Sequence, residues 1–348
     1  MIRIDGSFGE GGGQILRTAL ALSAIQKKPF LIYNIRKGRK KPGLLAQHLT
    51  SVRAVARISD AILSGDEFGS QTLQFQPRRI LPGSYEFDVA EERGSAGSVT
   101  LIAQSLLPIL FFAEKESEIY LKGGTHVPFS PVFDYLKEVL LPTIKEFGYP
   151  AEAEIKRYGF YPIGGGAIII RVKPFSPPSS PILLAEKRGE LKSIKVISRV
   201  ANLPETIAER QMKRAVEKLG EIIPPKERIM ERVEANCPGT YLFIKAEFSN
   251  ASAGFSSLGE KGKPAERVAE EAVEEFLSYY QTESLLDPHL ADQILIFLSL
   301  LPNPQLSFTT SRVTNHLLTN IWTIKNFLNL KIELEGELGK PGRVSLTG

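Results

Sequence analysis

The sequence predicts an α+β protein built from three β-α-β-α-β-β units, with a small α+β domain inserted between the second and the third. Three observations predict it. Apolar, helix-like runs that follow a polar or Gly-rich turn recur at Gly11 (GGGQILRTALALS), Gly97 (GSVTLIAQSLLP) and Ala291 (ADQILIFLSLLP). Each is followed by a second run with apolar residues at i, i+3, i+4 and i+7, starting at Pro42, Ser130 and Thr314. The spacing then breaks after Pro174, and residues 182–280 lack the pattern. Self-similarity of this kind is the mark of stacked supersecondary units. The expected large repeat domain is 1–183 with 281–348, in units of about 1–92, 93–175 and 281–348, and the expected insert is 184–280.

Taken in order, the elements follow from local chemistry. Short extended runs join the paired helices: PFLIYNI (29–35), SEIYLKG (117–123) and QLSFTT (305–310). Each unit closes with alternating apolar residues around a Gly/Pro-rich turn, which predicts hairpins over 72–89, 153–172 and 330–347. In two of the second helices a Pro sits near the start, where its missing N–H costs nothing. The stretch PFSPPSSP (174–181) reads as a linker. Within the insert, LKSIKVISRV (191–200), ERVEAN and TYLFIKAEF read as strands. The runs 205–219 and 264–280 read as helices with one charged, solvated face.

Composition narrows the function classes. With 348 residues, 43% of them apolar and 24% charged, the chain is a soluble globular protein of two or three domains and not a disordered one. The single cysteine, Cys237, excludes an intramolecular disulfide and a Cys-rich zinc site, and fits a reducing compartment. The N-terminal MIRIDGSFGE has no apolar signal core, and no run approaches the roughly 18 apolar residues of a spanning helix. The expected location is therefore cytoplasmic, with no membrane partner. A net charge of +4 permits a polyanionic partner without demanding one.

Several side chains could carry chemistry. Gly9-Glu10-Gly11-Gly12-Gly13-Gln14 opens onto a helix that carries Arg17, and such a loop can hold phosphate with backbone N–H groups. It is neither a Walker loop nor a dinucleotide fingerprint, and a glycine turn needed for close packing is the simpler alternative. Glu10 is out of place beside an anion unless a metal bridges the two. Arg36-Lys37-Gly38-Arg39-Lys40-Lys41 is a solvated loop or a contact to a nucleic-acid backbone. Gln104 lies inside the second unit's first helix. His126, in a turn after Gly123-Gly124, is functional or structural. In the third unit, Asp287 and His289–Gln293 stand where the first has its glycine loop, and an Asp there also suits helix capping. His316 opens the last helix, where a positive helix end favours the neutral imidazole that can act as a nucleophile.

Together these segments resemble the RNA 3′-terminal phosphate cyclase family. The resemblance rests on DGSFGEGGGQILR, IRKGRKKPGLLAQHL, RGSAGSVTLIAQ, GGTHVPFSP, RYGFYPIGGGA, HLADQ and SRVTNHLLTN, in order along almost the whole chain. It implies units resembling the C-terminal domain of translation initiation factor three, and a small inserted domain. It implies a reaction in which a histidine takes AMP from ATP, passes it to an RNA 3′-phosphate, and the adjacent 2′-OH then closes a 2′,3′-cyclic phosphate with loss of AMP. The nucleophile's place falls on His316. Gln104, His289, Leu290, Ala291, Asp292 and Gln293 fall on the ATP-binding positions. Arg17, Arg36 and Arg39 fall on the phosphate-handling and RNA-end positions, and Glu10 on the acidic position near a Mg²⁺ or Mn²⁺ ion. The implied partners are ATP and an RNA with a 3′-phosphate end. The oligomeric state stays open, with a homodimer among the options. A non-catalytic or nucleolytic cyclase-like protein of ribosome biogenesis is the alternative, and the presence of His316 speaks against it. An enolpyruvyl transferase would need six units, and a plain RNA-binding module leaves Glu10, Asp292 and His316 without a role.

Overall fold

A computed structural model of the chain describes residues 1–91, 96–178, 182–220 and 222–348. Arg93, Gly94 and Ser95 of the RGSAG motif, and residues 179–181 of the expected linker, lie outside the described residues. The fold is mixed α+β, and the described residues form four sheets.

The first sheet is formed by β1 (Ile2–Asp5), β2 (Phe30–Tyr33), β3 (Ile62–Ser64) and β4 (Leu73–Gln76), in the order β1-β2-β4-β3. Helix α1 (Gly13–Gln26) joins the parallel pair β1–β2, and α2 (Ala46–Ser59) leads to the antiparallel hairpin β3–β4. The second sheet repeats that order as β5-β6-β8-β7, from β5 (Ser84–Asp88), β6 (Ser117–Gly123), β7 (Ala151–Arg157) and β8 (Gly166–Val172). Its helices are α3 (Val99–Leu110) and a helical stretch of α4 (Phe133–Tyr135), a π turn over Leu136–Leu140, and α5 (Leu141–Glu146).

The next sheet, order β10-β9-β11-β12, comprises β9 (Leu191–Ala201), β10 (Glu227–Arg232), β11 (Gly239–Phe248) and β12 (Ser252–Leu258), with α6 (Thr206–Leu219) and α7 (Ala265–Tyr280) packed on one face. The last unit has α8 (Pro288–Ser299), β13 (Gln305–Thr310), α9 (Asn315–Phe327), β14 (Lys331–Gly336) and β15 (Gly342–Thr347), with sheet order β13-β15-β14.

Three sequence expectations are corrected. Residues 72–89 are not a hairpin. Residues 73–76 pair with β2 and β3, whereas residues 84–88 pair in parallel with β6, so the chain changes sheets between them. The crossing is held by Leu81 N donating to Ile58 O at 2.8 Å. Unit three lacks a first strand, since only Leu286 bridges Thr310 before Asp287 caps α8. Pro42 stands in a loop rather than at a helix start, because Gly43 N and Leu44 N are held by Ile35 O and Ser70 O and α2 begins at Ala46.

The central core is helical. Helices α1, α3 and α8 are apolar on nearly every side, and such helices must be surrounded. Helix α1 packs on α3 and α9, and α8 packs on α9 and α3, with the sheets outside. In β11 the two-residue alternation serves two cores: Leu242, Ile244 and Ala246 enter a small cluster with α6 and α7, while Tyr241 and Phe243 enter the main one. Among the described residues no helix is long and apolar enough to cross a membrane.

Candidate active site

Because α1, α8 and α9 are buried as a group, the polar residues near their N-terminal ends meet one another. Asn320 of α9 is the hub: its Oδ1 accepts from Thr18 Oγ1 at 2.7 Å and Gln14 Nε2 at 3.0 Å, and its Nδ2 donates to Asp292 O at 2.7 Å. Arg17 Nη2 donates to Gln14 Oε1 at 2.7 Å. Helix α3 joins through Gln104 Nε2, which donates to Gln293 Oε1 at 2.7 Å.

These ends line a cleft of about 700 Å³. Nine of the sequence-predicted residues line it: Glu10, Arg17, Arg36, Arg39, Gln104, His289, Asp292, Gln293 and His316. Leu290 and Ala291 do not; they are buried in the core beneath it and contribute by seating α8.

The glycine loop fits this geometry sterically. A Cβ on Gly12 would lie 2.2 Å from a Glu10 carboxylate oxygen, and one on Gly13 would lie 2.7 Å from His48 Nε2. The loop backbone therefore approaches these groups closely. Gly12 caps α1 with no side-chain hydrogen bond, so the first N–H groups of α1 have no side-chain acceptor from the cap.

Charge in the cleft is mostly positive. Arg39 forms an ion pair with Glu10 and also donates to the Glu10 carbonyl at 2.9 Å. Arg36 donates to Lys41 O at 2.6 Å and Gly43 O at 3.0 Å, so it holds its own loop while lining the cleft. Burial lowers Arg17 to about 10, still charged at neutral pH. His316 is half exposed into the cleft, with Nδ1 3.8 Å from Glu10 Oε2. Burial first, then the charges of Arg17, His289 and Arg39, push its pKa down to about 4. The helix end points to a neutral His316, and burial and the neighbouring cations act in the same direction. His289 is the opposite case. Burial disfavours its charge, but the Glu275 hydrogen bond at 2.8 Å and the carboxylates of Glu275, Asp287 and Asp292 outweigh it and raise the pKa to about 9. Asp292 accepts from Thr314 Oγ1 at 2.6 Å, and burial raises it to about 7.

Among the described residues, three buried side-chain atoms have no hydrogen-bond partner, and two of them, Glu10 Oε2 and Arg17 Nε, belong to this cleft. Buried polar groups are normally paired, so orphans here point to an absent ligand. No group of three or more His, Cys, Asp or Glu side chains suited to a metal occurs among the described residues. A protein cage for a metal is therefore not seen. One carboxylate with an open oxygen does suit a Mg²⁺-like ion held mainly by water and substrate phosphates.

Gln14, named with the glycine loop, also lines the cleft, and sequence reasoning missed several further lining residues: Gln47, His48, Phe129, Tyr135, Gly254, Ser256 and Glu275 among them. His48 Nδ1 accepts from Leu45 N at 3.2 Å, and burial with the charges of Arg36 and Arg17 lowers it to about 3, so it is neutral. Phe129 is fully exposed with a φ of 61°, and its one sequence signal was an aromatic between Pro128 and Pro131. Gly254, Ser256 and Glu275 come from β12 and α7; α7 was legible as a helix, but nothing local says that either element reaches the cleft. His126 is placed elsewhere, buried against Asp134 at 2.9 Å.

The chain is similar to known proteins along almost its whole length. The family described as RNA 3′-terminal phosphate cyclase matches residues 8–334. The chain is 46% identical over 330 residues to the RNA 3′-terminal phosphate cyclase of Methylococcus capsulatus, covering 94% of this chain and 91% of that one. It is 42% identical to the protein of that name from Thermococcus onnurineus, covering 100% and 99%, and 41% identical to that of Pyrococcus abyssi, covering 99% and 98%. The chain belongs to the RNA 3′-terminal phosphate cyclase family.

Proposed function

We propose that this chain, as a member of that family, is an ATP-dependent ligase that converts an RNA 3′-terminal phosphate into a 2′,3′-cyclic phosphodiester, with His316 as the nucleophile. The observation that carries the reading is a neutral imidazole at the start of α9, open to a cleft whose other charges are mainly cationic. A neutral ring has the lone pair that attacks phosphorus, and the cations offset the charge of the phosphates it must approach.

A phosphate monoester is a poor electrophile because its leaving group is oxide, so it has to be activated. Glu10 lies on the Nδ1 side of His316, which leaves Nε2 to attack the α-phosphorus of ATP. A P–N bond forms, the bond to the bridging oxygen breaks, and pyrophosphate leaves. An oxygen of the RNA 3′-phosphate then attacks that phosphorus, the P–N bond breaks, and the imidazole returns neutral. Finally the 2′-OH attacks the 3′-phosphorus, its proton passes to solvent, and AMP departs. This last step is intramolecular and needs activation and orientation rather than a new binding site.

In this reading Gln104, Gln293, His289 and Asp292 face the nucleotide, while Arg17, Arg36 and Arg39 face phosphates. Leu290 and Ala291 act through the packing of α8. Glu10 Oε2 would hold a Mg²⁺ or Mn²⁺ ion, which when bound would offset phosphate charge. We also read 184–280 as an inserted domain beside the large domain of 1–183 and 281–348, with units resembling the C-terminal domain of translation initiation factor three, and the protein as cytoplasmic. The separate cluster around Leu242, Ile244 and Phe276 supports the insert reading.

Incubation with ATP labelled at the α-phosphate, followed by denaturing electrophoresis, tests the proposal. Label should stay on the wild-type chain, be lost in acid and resist alkali, as expected for phosphorus on an imidazole nitrogen. It should be missing from His316→Asn. Label that survives in His316→Asn and disappears only in His289→Ala would overturn the assignment.

A further inference from the structure

Helices α8 and α9 each carry a histidine at the second position after the cap: His289 follows Asp287 and Pro288, and His316 follows Thr314 and Asn315. The start of a helix disfavours a cation, so both rings should be neutral. They are not alike. Among the described residues His316 has no carboxylate within hydrogen-bond reach, Glu10 Oε2 being 3.8 Å from its Nδ1, whereas His289 Nε2 lies 2.8 Å from Glu275 Oε1 on α7. A cation placed against a helix start breaks a local rule, and such departures tend to mark function.

The rest of the surroundings fix the backbone at His289 and place a ring beside its own. Asp287 accepts from His289 N and Leu290 N, both at 2.9 Å, and from Tyr135 OH at 2.9 Å. Gly254 N of β12 donates to the same carboxylate at 3.4 Å. The Tyr135 ring stands perpendicular to His289 with centroids 6.3 Å apart. All of Tyr135, Gly254, Glu275 and His289 line the cleft.

We infer that Glu275 is a positioning residue for the nucleotide: contributed by the region between units two and three, it fixes the ring of His289 and presents it to the cleft as a cation. The identity of the ligand rests on the function proposed above; the role of Glu275 toward His289 does not. The groups facing His289 are Glu275 on α7, Asp287 and Asp292 on α8, Tyr135 on α4 and the neutral His316 on α9. Of these only Glu275 is bonded to its side chain. The pair is only partly buried, and such a pair adds little to stability, so the pairing is of more consequence for the cleft than for the fold.

The test uses the full chain, with α,β-methylene ATP as a probe that cannot lose pyrophosphate. Glu275→Gln keeps an acceptor for the ring and removes the charge; Glu275→Asp keeps the charge. Imidazole NMR should find His289 titrating near pH 9 in wild type and at least two units lower in Glu275→Gln, with Glu275→Asp close to wild type. Calorimetry at pH 8 should find the probe bound several-fold more weakly by Glu275→Gln, with recovery in Glu275→Asp and unchanged unfolding midpoints. An unmoved His289 titration, or a moved one with unchanged affinity, overturns the inference. Failure of the wild-type protein to bind the probe would instead sink the ATP reading, and the titration would then decide the Glu275 role alone.

Discussion

The surroundings of His126 and of His316 both set a carboxylate near a histidine, and they differ in what is left over. In the buried network around Asp134, every partner is found. His126 Nε2 lies 2.9 Å from Asp134 Oδ2, Tyr241 OH donates to the same oxygen at 2.7 Å, and Arg199 Nη1 donates to Oδ1 at 2.9 Å. Thr125 Oγ1 sits 2.8 Å from the other ring nitrogen. Burial alone would raise the Asp134 carboxyl, but the bonds and charges of His126, Arg199 and Tyr241 bring it down to about 2. Around Glu10 and His316, by contrast, the nearest carboxylate oxygen is 3.8 Å away, two buried atoms are unpartnered, and the cluster opens on a cleft. A saturated network holds β9 and β11 to the second unit. The unsaturated one lines the cleft, as the proposed binding of ATP and an RNA end requires. Burial of a histidine does not separate the two; completeness of its hydrogen bonding does.

The strongest way to break this comparison is to mutate one member of each. His316→Asn should cut formation of the enzyme–AMP adduct by about 10³-fold or more, since an amide cannot form the phosphoramidate. Its urea unfolding should match wild type, because the side chain is half exposed. Asp134→Ala should do the reverse. It removes the buried acceptor shared by His126, Tyr241 and Arg199, leaving Arg199 with Glu231 as its remaining carboxylate, and should cost about 3 kcal/mol or more of unfolding free energy, with adduct formation per folded molecule largely kept. If His316→Asn unfolds early, or Asp134→Ala loses chemistry while staying folded, the division between open and closed clusters is wrong. Glu10→Gln is a milder probe. At limiting metal it should weaken adenylation by at least about 10–100-fold, the range typical when a group supporting a metal's ligands is altered, and by less at saturating metal. A loss that excess metal does not relieve would remove Glu10 from that role.

The sequence was legible where a residue's role was local. SEIYLKG and QLSFTT read as strands because alternation is visible within the segment, and they are β6 and β13 end to end. Helix α1 was legible because ten of its fourteen residues are buried and nearly all its apolar positions say so. The short β3, with its two outer residues exposed, gave no such signal, and so its partner Leu73–Gln76 was assigned to the wrong neighbour. Strand β12 was missed because SAGFSSL is rich in small polar residues; it is a strand through its pairing with β11. The cleft followed the same division. Residues on the ends of the repeat helices could be named from motifs, whereas Tyr135 and Glu275 reach it by tertiary packing of separate segments. Asp287 was read as a cap or a ligand, and its bonds to His289 N and Leu290 N make it a cap.

The smallest effect is also the one that sharpens the comparison most. Asp292 lies in the open cluster, buried, with Thr314 Oγ1 on one oxygen and a carboxyl raised to about 7 from an ordinary 3.8. Between those two pH values the folded protein holds a proton that the unfolded chain has already lost. Stability must therefore fall as pH rises through the window from about 4 to 7, and stay low above it. At roughly 1.4 kcal/mol per pKa unit the ceiling is near 4 kcal/mol, and relaxation of the site should reduce it to about 1–2 kcal/mol. Asp292→Asn keeps an acceptor for Thr314 and removes the titration. The variant should be more stable than wild type by that amount at pH 8 and equal to it near pH 4, read from urea unfolding at both pH values. It should also use ATP less well, because the carboxylate that burdens the fold faces the cleft. Replacing a residue of the closed network loses stability; replacing this one should gain it, as expected where a site is held for function against the preference of the fold. Parallel stability curves for the two proteins across pH 4 to 8 would mean that Asp292 is ionised at no cost, and that the cleft is a settled part of the fold.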